Sequence, residues 1–182
     1  MSKRILITTG VIILGLTPAL MAAAPKGTAA GDSPEVSKLL SEAKTMAFQV
    51  KEDAVAMEGF TRMDVSWESH AVAVNQMKDH INALGKQVTK LKAAEASASP
   101  WQRQAINRIT PYLDELGGYT TAVIERLNGD RKHKLTEYKD YLEANADYAT
   151  DLAAMIAEFV DYGNARARLE QLGAELEIAP RK

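Results

Sequence analysis

The 182-residue chain contains no cysteine. That excludes a disulfide framework, a thiolate metal site, a lipid-modified N-terminal cysteine and covalent c-type haem attachment. Charge of either sign is in small excess: the formal net charge is −2, so no electrostatic footprint for nucleic acid exists and no nucleic-acid partner is expected. Aromatic residues are scarce at 6%. Proline is scarce too, with none between residues 35 and 99 or between 112 and 179. Catalytic signatures are missing: no G-x-S-x-G elbow, no H-E-x-x-H pair, no phosphate-cradling glycine loop and no dinucleotide fingerprint. A di-iron bundle needs two Glu-x-x-His motifs. Trp67 stands three residues before His70, and Met77 three before His80; only Asp130, before His133, is acidic. The chain is therefore read as no enzyme.

What is present begins with an address. Residues 1–24 carry Lys3 and Arg4, then an apolar run from Ile5 to Leu16, then Pro18 and a small-residue stretch ending at Ala22-Ala23-Ala24. Those are the three parts of a secretory signal peptide, so export to the periplasm or the medium is expected. No later segment holds 18 consecutive apolar residues, so no transmembrane segment is expected in the mature chain. Residues 25–32 are small and polar and read as a flexible leader. Residues 178–182 read as a disordered tail.

The remainder, 33–177, is rich in helix formers and shows no strand-like alternation. The spacing predicts an all-α, antiparallel up-down four-helix bundle made of two helical hairpins, 34–95 and 100–177. Helix 1 opens at Ser33-Pro34-Glu35, a cap, a first-turn proline and an acid at the positive end of the dipole. Gly59 is expected to end it. Helix 2 follows a cap at Asp64 or Ser66, and its seam Trp67, His70, Val74, Met77, Ile81, Leu84, Val88, Leu91 alternates steps of three and four. Helix 3 opens at Ser99-Pro100-Trp101-Gln102, a capping box, with a kink expected near Asn107 from Pro111. Asn128-Gly129 should close it. Helix 4 is expected from Thr136 to Glu177, with a seam through Tyr138, Tyr141, Asn145, Tyr148, Leu152, Met155, Phe159 and Tyr162. Leu142, Ala149 and Ile156 widen that seam, and Leu169, Leu172 and Leu176 continue an amphipathic tail.

Two features bear on chemistry. His70 occupies a seam position among apolar neighbours, with Met77 two turns on. Imidazole and thioether are neutral ligands, and a bundle core can hold haem or copper with them. His70 and Met77 are about 10.5 Å apart along one helix and cannot share a metal. A second ligand would have to be Met46, Met57 or Met155. The plainer reading is a buried histidine bonded to Asn145, a tyrosine hydroxyl or water, and no cofactor is expected. The second feature is the row Tyr138, Tyr141, Tyr148, Tyr162, which would line an interaction groove if exposed or pack the core with its hydroxyls at the rim. The run Asp130 to Lys134 is the one basic cluster and reads as a solvated loop.

The stretches SWESHAVAVNQMKDHINALGK and SPWQRQAINRITPYLDELGGYTTAVIERLNG resemble an uncharacterised family of small exported bacterial helical-bundle proteins. Ser66-Trp67, Ser69-His70, the box Ser99 to Gln102 and Pro111 carry the resemblance. It implies a bundle fold and an envelope compartment, and no activity. The overall shape is also similar to cytochrome b562-like bundles, but the last helix lacks the histidine that a haem there would need. The sequence thus points to an exported, non-catalytic bundle acting by structure, by self-association or by docking to an envelope protein. The other reading is a small-ligand, metal or haem carrier that uses His70.

Overall fold

The computed structural model describes residues 31–130 and 136–178. The expected signal peptide, the leader up to residue 30, the basic run 131–134 and residues 179–182 lie outside them. Four helices follow in order: α1 (Pro34–Phe60), α2 (Trp67–Ala93), α3 (Pro100–Asp130) and α4 (Thr136–Glu175), with one 3-10 turn at Glu95–Ser97. Among the described residues there is no strand. Each helix packs on its chain neighbours, and α4 closes the ring against α1. The starts of α1 and α3 meet, whereas the start of α2 meets the ends of α1 and α3. Consecutive helices therefore run in opposite directions, as an up-down bundle with short connections requires.

The helix starts follow from local chemistry. The Ser33 hydroxyl accepts from Val36 N at 3.4 Å and the Ser66 hydroxyl from Ser69 N at 3.2 Å. Asp64 is thus not the cap of α2. At α3 the box is half made: Gln102 Oε1 accepts from Ser99 N at 2.9 Å, but the Ser99 hydroxyl makes no hydrogen bond. Gln102 instead reaches across to α1. Its Oε1 accepts from Ser33 N at 3.0 Å, and its Nε2 donates to Ser33 O and to Ser37 Oγ, both at 2.9 Å. The two Ser-Pro starts are knitted together by one fully buried glutamine.

Helix ends differ slightly from expectation. α1 runs through Gly59 to Phe60 with Thr61 as its cap, and α3 runs through Asn128-Gly129 to Asp130. α3 is assigned as one unbroken helix across Pro111. α4 stops at Glu175, two residues before the expected Glu177. There Glu177 adopts a left-handed φ of 53°, Glu177 N donates to Ala174 O at 3.3 Å, and Ile178 N donates to Gly173 O at 2.9 Å. That is a Schellman stop, made without the usual glycine.

The core is the sum of four inward stripes. On α2 the buried stripe is the expected seam: His70, Val74, Met77, Ile81, Leu84, Val88 and Leu91. On α4 the expected seam is offset. Tyr138, Leu142, Asn145, Ala149, Leu152, Ile156 and Val160 are buried, while Tyr141, Tyr148 and Phe159 are half-buried flanks and Tyr162 is 49% exposed. The difference lies in which side of Tyr138, Asn145 and Leu152 faces the bundle: the residues four positions on (Leu142, Ala149, Ile156) are buried, whereas Tyr141 and Tyr148, three positions on, are flanks.

Candidate functional site

His70 sits in the first turn of α2, 2% exposed. Its Nδ1 lies 3.0 Å from the hydroxyl of Tyr138, in the first turn of α4. Phe60, the last residue of α1, meets the imidazole edge-on at 5.3 Å between centroids, and the Tyr138 ring does so at 5.5 Å. Beside it, Trp67 Nε1 donates to Leu127 O at 2.8 Å. Three helices thus hold the imidazole through a tyrosine hydroxyl and two ring edges. Burial pushes the Tyr138 phenol far above its ordinary pKa, so that hydroxyl keeps its proton. Met77 is fully buried further along α2. Among the described residues, no group of three or more His, Asp or Glu side chains is placed to hold a metal.

Asn145 is not His70's partner. It is fully buried next to α3, where Thr120 Oγ1 donates to Leu116 O at 2.8 Å and lies 3.0 Å from Asn145 Oδ1. Asn145 Nδ2 is buried with no hydrogen bond.

The tyrosine row does not line one groove. Tyr138 is wholly buried and therefore unavailable as a contact residue. Tyr141 and Tyr148 join Tyr112 and Tyr119 of α3 in a half-buried ladder, with centroid separations of 5.3 to 6.4 Å. Within it the Tyr148 phenol is pushed up, first by Tyr119 and then by lost hydration. Tyr162 belongs to the opposite end of the bundle from His70. It meets Trp101 edge-on at 5.4 Å, and the Arg166 guanidinium lies 5.9 Å from its centroid.

That second end was illegible in sequence. Trp101 Nε1 donates to Asp32 Oδ1 at 2.6 Å, and Arg166 reaches the other Asp32 oxygen at 3.3 Å. The outer end of the indole occupies the space into which a side chain on Gly163 would project: a Cβ there would meet its ring at 2.7 Å. Trp101, Gln104, Arg108, Glu158, Phe159 and Tyr162 line a surface cleft of about 280 Å³ beside it. A wider groove of about 550 Å³ runs between α2 and α3 over Gly85 and Leu113. Sequence reasoning also passed over His80, whose Nδ1 is 2.5 Å from Asp53 Oδ2; Gln76 Nε2 donates to the other oxygen at 3.0 Å. The pair bridges α2 to α1 at the surface.

Beyond the Trp101 platform, α4 continues without cover from α1 or α3. Its 40 residues span about 60 Å, against about 40 Å for α1 and α2. Leu169 is 72% and Leu176 65% exposed, and Leu172 is half-covered. At about 100° per residue they lie about 160 to 220° around the helix from Ile156, so this apolar stripe faces away from the core.

These features define an all-α four-helix bundle with a buried His–Tyr pair at one end and a projecting amphipathic helix at the other. No family model, curated protein or solved structure matches the chain.

Proposed function

We propose that this protein is exported and acts without catalysis, as a helical-bundle module that docks to a protein in the cell envelope. The observation that carries the docking reading is the uncovered leucine stripe of α4. A core-facing stripe would need no partner, but Leu169 and Leu176 hold apolar surface in water on the side opposite the bundle, an expense a monomer gains nothing from. The N-terminal grammar of residues 1–24 supports export. No helix among the described residues is long and apolar enough to cross a membrane, which is compatible with a mature chain that works beside an envelope surface.

The test uses the native host. A photoreactive residue in place of Leu169, with another in place of the exposed Val72 on α2 as control, is activated in intact cells. The expected result is a cross-linked species for the Leu169 position alone, in the fraction released by osmotic shock, from protein lacking its first 22 to 24 residues. Absence of any cross-link, or an intact Met1 in the membrane fraction, would count against it.

A further inference from the structure

Resting on that docking reading, we propose that the partner of the α4 stripe is the same stripe on a second copy of this chain, laid antiparallel across a two-fold axis. The pattern Ala165, Leu169, Leu172, Leu176 steps by four, three and four and forms a second seam, outside the bundle. A short seam of this kind buries little until another helix covers it. The charges along it choose the direction. Arg166 and Arg168 fall in its first half, and Glu170, Glu175 and Glu177 concentrate acid in its second. A parallel copy would set arginine beside arginine and glutamate beside glutamate. An antiparallel copy sets the basic half against the acidic half.

The register follows from the layers. Placing Leu169 beside Leu172 of the second copy also places Leu176 beside Ala165, and symmetry repeats both contacts. In that register Arg168 and Glu175 of opposite copies flank the same layer. Both residues are exposed, and among the described residues each is hydrogen-bonded to the neutral amide of Gln171 and neither is held in an ion pair that pairing must break. Arg166, by contrast, is already engaged by Asp32 and Glu170. Because the stripe points away from α1 and α3, a second helix reaches it without displacing the bundle. Facing Leu176 with Ala165 leaves room near the Trp101 platform. The seam is only about four layers long, so the contact belongs with small, reversible interfaces.

Sedimentation equilibrium of the purified exported protein tests this. Reversible dimers are expected at concentrations of order 100 μM, where weak interfaces populate. Leu169→Asp with Leu176→Asp should give a monomer of unchanged melting temperature, since neither leucine belongs to the core. Arg168→Glu and Glu175→Arg should each weaken association about 5- to 10-fold, and the double reversal should restore it, as expected of a charge pair across an interface. A wild-type monomer at every accessible concentration overturns the proposal. So does a dimer that survives the two aspartates, or one that the double reversal fails to restore. If the protein is monomeric yet the Leu169 photo-cross-link persists in cells, the docking reading stands with a different protein as partner. If both are lost, the docking reading itself has failed.

Discussion

Gly163→Ala sets two local effects against each other, and the packing decides which wins. Inside a helix, alanine is favoured over glycine by about 1 kcal/mol. At Gly163 the added methyl would stand 2.7 Å from one ring carbon of Trp101 and 3.1 Å from the next. An indole cannot bend, so it must swing off α4 as a unit. Doing so strains or breaks the hydrogen bond to Asp32, worth about 1.5 to 3 kcal/mol when the acceptor is charged, and the edge contact to Tyr162, worth about 0.5 to 1.5 kcal/mol. Even partial loss exceeds the propensity gain, and the net expectation is destabilisation by about 1 to 2 kcal/mol. Gly118 is the internal control. It lies within α3, exposed, with nothing within 4 Å of a built Cβ, so Gly118→Ala should stabilise by about 0.5 to 1 kcal/mol. Urea unfolding followed by circular dichroism and by tryptophan fluorescence measures both. In a Trp101→Ala background, Gly163→Ala should change sign and stabilise. If Gly163→Ala stabilises the wild type as Gly118→Ala does, the indole does not seat against α4 as described.

Four further outcomes follow from Tyr138, Thr120 and Pro111. Burial raises the Tyr138 phenol above the ordinary tyrosine pKa of about 10, so its stabilising contribution is full below that pH and is lost as pH climbs above it; the urea midpoint should fall on the alkaline side, and Tyr138→Phe should flatten that fall. At neutral pH the same variant removes the hydroxyl that His70 Nδ1 bonds and should cost about 1 to 3 kcal/mol in the same unfolding assay. Thr120→Val should cost about 1 to 3 kcal/mol by stranding the buried Asn145 amide, while Thr120→Val with Asn145→Leu should recover much of the loss, as a thermal double-mutant cycle would record. Pro111→Ala should raise the unfolding midpoint, by about 1 to 3 kcal/mol, because it restores an amide donor within α3.

The starts of α1, α2 and α3 were legible because their signals act within a few residues: a serine cap at α1 and α2, a first-turn proline at α1 and α3, and the Gln102 half of the box at α3. The core face of α2 was legible for a related reason: its apolar residues offer one path of steps three and four, and that path is the buried one. On α4 two such paths share Tyr138, Asn145 and Leu152, one through Tyr141 and Tyr148 and the other through Leu142, Ala149 and Ile156; tertiary packing chooses between them, and the second is buried. His70's burial could be read from its neighbours on the seam, but the choice of Tyr138 over Asn145 as its partner depends on which residue of α4 comes level with the start of α2. The Asp32–Trp101–Gly163 contact is wholly tertiary. It joins residues 69 and 62 positions apart, and nothing local marks the glycine as a seat for a ring.

Gln102 turns the first hairpin into a gauge. Its amide binds Ser33 and Ser37 at the start of α1 while its oxygen also holds Ser99 at the start of α3, so the chain must go up α1 and return down α2 to the same level within a hydrogen bond. An insertion in α1 alone would lift Ser33 away from Gln102 by about 1.5 Å per residue, and would rotate every later side chain off its face. Length can therefore change only in matched steps, a whole heptad added to α1 together with one in α2, and the same again in α3 and α4 if the far end is to stay level. Bundles of this kind should differ from one another by multiples of seven residues per helix and tolerate odd lengths only past the Trp101 platform, where α4 is measured against nothing.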